Sequence, residues 1–551
     1  MQADLILRDG VVYASDRRRS QHEALAIRDG RIAMVGDDVA VAEWRGPRTR
    51  VVDLGGRLVL PGFIDAHLHP SLSTAELFEV DLAACRSIRD CLDAVAHFAA
   101  ARPDAPAIRG YGWYPTHVPE SRMTAAALDR VVPDRPVCLD DDSQHSQWVN
   151  TALLRLAGVG PDEPDWNGAV IERLPDGKPS GLLREAWPWV QRVLPRYDAA
   201  AHADALRHFQ RAIASRYGLT TMHEAGALPG EPVFEVYRLL EEHGELAARY
   251  CISVQLHPDR PLDEQIEAAV EERARCAGPL LRAAAVKLFV DGVIESHTGY
   301  LKEPYADRPG YRGEPVWAPA RLIEASVAAA AVGFQLHYHA IGDAAVSLAL
   351  DAVAAARRQS GPAGGRDLIT HLQLVDPRDY GRMAALGVVA ATQPYWFAKD
   401  AAYDERLYRP FLGERRAGRQ YPMRSLFDAG VVVAAASDYP VSPPPDPLLA
   451  IQRGVLRRDP LAPGSSSQLW PHEAVSVERL ITAFTSNGAY ANFLEGETGS
   501  LEVGKSADLV VLRDDLLELP PERLHEATVE LTLFRGRPVF AAGAYDGLAL
   551  A

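Results

Sequence analysis

Short apolar runs broken by turn residues open and close the chain. Asp4-Leu5-Ile6-Leu7-Arg8-Asp9-Gly10 predicts a strand running into an Asp-Gly turn. Ala24 to Gly36 predicts a hairpin about a second Asp-Gly, Asp29-Gly30. Residues 507–512 and 529–534 repeat the strand pattern near the other end, with Arg535-Gly536 as a turn. The middle of the chain alternates differently. Strand-like runs fall near 59–66, 218–223, 249–255, 284–290, 334–339, 367–371, 387–392 and 431–437. Helical segments separate most of them, such as Pro319–Ala331 and Ala344–Arg357; Pro319 suits a first helical position, where its missing N–H is not needed. Eight strands alternating with helices predict an α/β fold of the (β/α)8 barrel type. Two further runs, 107–111 and 137–141, fit better in an insertion of residues 71–200 after the first strand, expected to form a cap subdomain. The expected organisation is a β-sandwich domain from residues 1–57 and 498–551, flanking a barrel over 58–497. Pro443-Pro444-Pro445 marks a rigid loop after the last strand.

The first barrel run, Leu58-Val59-Leu60-Pro61-Gly62-Phe63-Ile64-Asp65-Ala66-His67-Leu68-His69, ends in His-x-His. On a strand such a pair shares one face, so both imidazoles can reach one metal ion. A barrel of this type carries its chemistry at the C-terminal ends of its strands. The other predicted strand ends bring Lys287, His339, His371 and Asp438 to the same rim. Each has an ordinary explanation by itself, and Asp438 could be a helix N-cap. Four histidines, a lysine and an aspartate at one rim point to a metal centre.

Composition narrows the field. Hydrophobic residues make up 47% and charged residues 24% of 551, as in a soluble globular protein. A net charge of −16 disfavours nucleic acid and anionic membranes as partners. No apolar run is long enough to span a bilayer, and Asp4 and Arg8 interrupt the N-terminal run Leu5-Ile6-Leu7. The five cysteines lack metal-type spacing and fit free thiols in a cytoplasmic location. Of the five lysines only Lys287 sits in an apolar strand, Ala283-Ala284-Ala285-Val286-Lys287-Leu288-Phe289-Val290. An ammonium there needs a partner or a chemical change.

At this point the chain resembles the amidohydrolase superfamily, specifically amidohydrolase family 3, the YtcJ-like metal-dependent hydrolases. The likeness runs from Asp4 to about Phe540. It is carried by residues 61–69, by Val286-Lys287-Leu288-Phe289-Val290-Asp291-Gly292, and by His339-Ala340-Ile341-Gly342-Asp343. Ser437-Asp438-Tyr439-Pro440-Val441 and residues 499–509 complete it. The resemblance implies that His67, His69 and Asp438 hold a buried divalent ion and that His339 and His371 hold a more exposed one. Lys287, carboxylated by CO2, would bridge the two. Histidine nitrogen and carboxylate oxygen suit zinc best, so two zinc ions are expected, with manganese, iron, cobalt or nickel as the alternatives. A hydroxide bridging the ions would attack a carbonyl, and Asp438 would carry its proton to the leaving nitrogen. The expected activity is hydrolysis of a small-molecule amide: N-acyl, N-formyl or cyclic. Dimers are common in the family, so the resemblance points to a homodimer.

Several residues are candidates for substrate binding. His223 ends the second barrel strand, and His297 follows the fourth, where relatives usually carry arginine. Tyr395 and Trp396 depart from a commoner Gln-Pro-x-His pattern and would line an apolar pocket. In the insertion, Trp113, His145 and Trp148 match cap motifs that would cover the substrate, although a small subdomain needs aromatics for its own core. His337 shares a face with His339 and reads as a structural group behind the ligands. Two competing readings are a mononuclear aromatic deaminase, which would not need Lys287, and a metal-free regulatory scaffold, which would be expected to have lost ligands.

Overall fold

Gly62 divides the apolar run that ends in His-x-His. A Cβ there would lie 2.3 Å from Thr220 Oγ1, so the chain crosses the second barrel strand only as glycine. The single strand expected over 59–66 is therefore two. Leu58–Pro61 pairs antiparallel with Leu509–Leu512 in a six-stranded sheet built from both chain ends, and Phe63–Leu68 opens the barrel. The computed structural model describes residues 2–165, 169–360, 365–442, 444–462 and 467–548; Pro443 of the triple-proline loop lies outside them.

The barrel strands are β1 (Phe63–Leu68), β2 (Leu219–Ala227), β3 (Arg249–Gln255), β4 (Leu281–Phe289), β5 (Gln335–Ala340), β6 (Leu368–His371), β7 (Val389–Thr392) and β8 (Val432–Ala435). They form one parallel eight-stranded sheet in sequential order, with β1 and β8 at its ends. Just beyond these two strands the chain is stitched together: Asp438 N–H donates to His67 O at 2.9 Å and His69 N–H to Tyr439 O at 2.7 Å. Helices cover the outside. The one predicted from Pro319 spans Pro319–Ala331, and the next runs Asp343–Ser360. The cluster between strands and helices includes fully buried Leu288, Leu336, Ile369, Val433, Leu322 and Val353. Each such side chain contributes roughly 1.5–3 kcal/mol of transfer free energy.

Between β1 and β2 the chain forms a separate six-stranded sheet, which includes Ile108–Trp113 and Val137–Asp141 paired in parallel. The sheets from the chain ends pack on each other through Leu7, Leu25, Ile27, Val59, Leu509 and Leu531. The expected hairpin pairs Ala24–Arg28 with Arg31–Gly36. Arg249, at the foot of β3, forms a buried ion pair with Asp508 of the terminal segment, which ties this region to the barrel.

Candidate metal centre

Register sets the floor of the site. Lys287 on β4 lies opposite His337 on β5, and Phe289 opposite His339. Side chains on facing positions of parallel neighbours share a face, so Lys287, His337 and His339 all point into the barrel. The stitched ends of β1 and β8 bring in the remaining groups. The ligand atoms of His67, His69 and Asp438 lie within 4.8 Å of one another. Asp438 Oδ1 is 3.1 Å from His67 Nε2 and 3.3 Å from His69 Nε2. Both Asp438 (φ 60°) and His371 (φ 75°) hold the left-handed backbone region, uncommon for non-glycine residues and frequent where a site must be shaped.

Buried carboxylates hold this geometry. Asp65 accepts from the N–H groups of Ser437 and His67. Glu224, at the C-terminal half of β2, accepts from Ser71 N–H at 2.8 Å and lies 3.8 Å from His69 Nδ1. Asp291 accepts from the N–H groups of Ile341, Gly342 and Tyr300, which sets the turn after His339. Burial raises all three to about 7, against the hydrogen bonds that lower them. None was singled out from the sequence as a support. Asp65 and Asp291 lie within the stretches that carry the family resemblance, and Glu224 follows His223 on the second barrel strand, but spacing does not reveal the N–H groups they accept from.

Lys287 is fully buried, and its Nζ is 3.5 Å from His67 Nε2 and 4.9 Å from the Phe289 ring centroid. Burial pulls its ammonium down to about 7, against the attraction of Asp438. Burial would also raise Asp438, but its hydrogen bond to His69 and the neighbouring His371 and Lys287 hold it well below the usual carboxylate range. His339 Nε2 donates to Gly292 O at 3.1 Å, and His371 Nδ1 is 3.3 Å from Gln393 Oε1. The His339 and His371 rings lie 4.4 Å apart. Their second nitrogens, His339 Nδ1 and His371 Nε2, remain available as ligands. An imidazole-carboxylate set beside a buried amine suits a borderline divalent ion, zinc above all, so these residues fit a metal centre.

A cavity of 640 Å³ opens above this floor, lined by His67, His69, Lys287, His339, His371 and Asp438 together with His145, Glu185, Trp187, Trp189, Tyr395 and Trp396. The volume suits a small organic substrate. Trp396 stacks on His371 at 5.5 Å and donates to Ser442 Oγ at 2.6 Å. His145 reaches in from the insertion with its Nδ1 2.8 Å from Glu185 Oε2. Burial lowers the His145 pKa, but Glu185 outweighs it and holds the imidazole near 9.

Four expected substrate contacts lie elsewhere. Trp113 and Trp148 are fully buried in the core of the insertion, with indole N–H groups donating to Leu139 O and Thr124 O. The subdomain's own packing claims them, because an indole buries a large apolar area once its single donor is satisfied. His297 is turned away from the cavity, its Nε2 2.9 Å from Asp307 Oδ2 and its ring against Phe411. His223 lies inside the barrel beneath the site and bonds Ser253 and Asn492. The five cysteines are free and buried, and among the described residues no helix is long and apolar enough to cross a membrane.

A parallel eight-stranded barrel with histidines, a lysine and an aspartate gathered at its C-terminal rim defines the class of metal-dependent hydrolases. Residues 50–540 match the model of the amidohydrolase family, and the chain belongs to that family. It is 29% identical over 542 residues to YtcJ of Bacillus subtilis, covering 96% of this chain and 98% of that one. It is also 29% identical over 558 residues to the N-substituted formamide deformylase of Arthrobacter pascens, covering 97% of each. An uncharacterized metal-dependent hydrolase from Pyrococcus horikoshii shares the fold with a TM-score of 0.73 at 23% identity, covering 94% of this chain and 99% of that one.

Proposed function

We propose that this hydrolase cleaves the C–N bond of a small amide at a binuclear centre held by His67, His69, Lys287, His339, His371 and Asp438. The observation that carries this reading is Lys287, a fully buried amine 3.5 Å from His67 Nε2. A pKa near 7 leaves much of it as a neutral amine at physiological pH, able to add to CO2 with loss of a proton. The resulting carbamate turns a buried cation into a two-oxygen anionic ligand. His67, His69 and Asp438 would hold one ion, His339 and His371 the other, and the carbamate both. Two zinc ions held there would supply a nucleophile at neutral pH and would polarise the substrate carbonyl.

The protein's own groups do the rest. Asp438, its Oδ1 engaged with His67 and His69, has Oδ2 to accept a proton from the attacking water and pass it to the leaving nitrogen. Trp187, Trp189 and Trp396 would pack the apolar part of the substrate and exclude water. The likeness to a formamide deformylase favours N-formyl amines among the candidates. Lys287 argues against a mononuclear aromatic deaminase, and retention of all six ligand positions argues against a metal-free scaffold.

The test is a screen of the zinc-reconstituted protein against N-formyl amines, N-acyl amines, hydantoins and aromatic ring amines, with and without a chelator. Chelator-sensitive turnover of one of the three amide classes is expected. Turnover confined to ring amines, or turnover unchanged by chelation, would overturn the proposal.

A further inference from the structure

The barrel interior just below the metal floor is polar where such barrels are usually filled by branched aliphatic residues. His223 from β2, Ser253 from β3 and His337 from β5 meet there, all at 1% exposure or less. They form one continuous hydrogen-bonded chain. His223 Nδ1 is 2.8 Å from Asn492 Oδ1, and His223 Nε2 is 2.7 Å from Ser253 Oγ. Ser253 Oγ is 2.8 Å from His337 Nδ1, and His337 Nε2 is 2.7 Å from His67 Nδ1.

The far end of this chain has a defined direction. Asn492 Nδ2 donates to Gly488 O at 2.9 Å. A flipped amide would set its oxygen against that carbonyl, two acceptors with no proton between them. Asn492 therefore presents Oδ1 to His223, and His223 must carry its proton on Nδ1. A neutral imidazole then has a lone pair on Nε2, which accepts the Ser253 hydroxyl proton. The Ser253 oxygen in turn accepts from His337 Nδ1–H. This leaves a lone pair on His337 Nε2, which accepts from His67 Nδ1–H. Each step follows from the last, because an imidazole with one proton is a donor at one nitrogen and an acceptor at the other.

We infer that Asn492, His223, Ser253 and His337 are positioning residues that impose the Nδ1–H tautomer on His67 and so aim its Nε2 lone pair at the metal. The inference rests on the proposed reading of His67 as a ligand. Metal-binding histidines commonly donate their second N–H to a carboxylate or a carbonyl. Here the acceptor is another imidazole, whose acceptor state is dictated four groups away by a main-chain carbonyl. Such a chain also strengthens cooperatively, because each bond polarises the next.

Neutron diffraction from deuterated crystals of the zinc-loaded protein reads the protons directly. Deuterium is expected on Nδ1 of His223, His337 and His67 and absent from Nε2 of each; deuterium on Nε2 of His337 or His67 would overturn the inference. Zinc affinity, measured by chelator competition, supplies the second readout. His337→Gln keeps an amide oxygen near the Nε2 position and is expected to stay within about threefold of the parent, whereas His337→Leu is expected to bind zinc about 10–100-fold more weakly. Asn492→Leu should weaken binding in the same direction by a smaller factor. Parent-like affinity in both leucine variants would sink the idea, as would equal losses in His337→Gln and His337→Leu. A failure of the metal reading looks different: the parent protein itself would bind no zinc.

Discussion

Both carboxylate oxygens of Asp65 lie 3.1 Å from the backbone nitrogen of Ser437, across the seam where the first and last barrel strands meet. The same carboxylate accepts from His67 N–H at 3.2 Å. One buried side chain thus holds the main chain at two proposed ligands, His67 and, beside Ser437, Asp438. Asp65→Ala strands two buried N–H groups, each worth about 1–3 kcal/mol when unsatisfied. The variant is expected to unfold at lower urea and to bind zinc more weakly. Asp65→Asn retains an acceptor and should lose less than half as much. Equal midpoints for the parent and Asp65→Ala, followed by circular dichroism, would refute this role.

Lys287→Ala removes the only buried amine at the floor. The variant is expected to fold, because the change deletes a costly buried amine, and to lose most of its zinc by atomic absorption. Acetate or propionate should restore part of the zinc and part of the turnover by taking the place of the carbamate. Full zinc occupancy in Lys287→Ala without added acid would contradict the bridging role.

Asp438→Asn separates ligation from proton transfer. An amide oxygen can still approach an ion, but it cannot accept a proton at neutral pH. Zinc content is expected to be largely retained while turnover falls by about 10²–10⁴-fold, the usual range for a lost general base. Near-parent turnover in a zinc-loaded Asp438→Asn sample would remove the residue from the mechanism.

Asp376 links pH to stability away from the metal floor. Its carboxylate is held well below the usual range by Arg378 and then by Lys302, whose Nζ is 2.7 Å away, while partial burial works in the opposite direction. A depressed carboxylate contributes stability that is present above its unfolded pKa near 4 and lost as pH falls through the folded value. The effect should therefore be seen between about pH 4 and lower pH, and amount to roughly 1 kcal/mol given the exposure of Arg378. Asp376→Asn keeps the cap on the helix Pro377–Leu386, which Asp376 makes by accepting from Arg378 N–H. Urea midpoints of the metal-free protein from pH 6 to pH 3 should fall less steeply for Asp376→Asn than for the parent.

The barrel, and the polar residues that its strands bring to one rim, could be read from the sequence for a local reason. Strands and helices differ in the spacing of apolar positions, and a polar residue ending an apolar strand stays visible without knowing what it touches. His67, His339, His371 and Asp438 have that form, and Lys287 stands out inside its run because a lone ammonium in an apolar strand is costly. Spacing alone could not divide the run at Gly62, because the reason is the close approach of Thr220 Oγ1, 158 residues further on. Nor could it send Trp113 and Trp148 into the core of the insertion, or turn His297 towards Asp307, since loop and subdomain side chains take their direction from distant partners. The sequence by itself determined which strands bring ionisable side chains to the rim, through periodicity and the cost of burying charge. Only the tertiary structure decided what surrounds them: Asp65 across the barrel seam, and the polar chain from Asn492 to His67. Hydrogen-bond partners far apart along the chain leave no periodic trace in it.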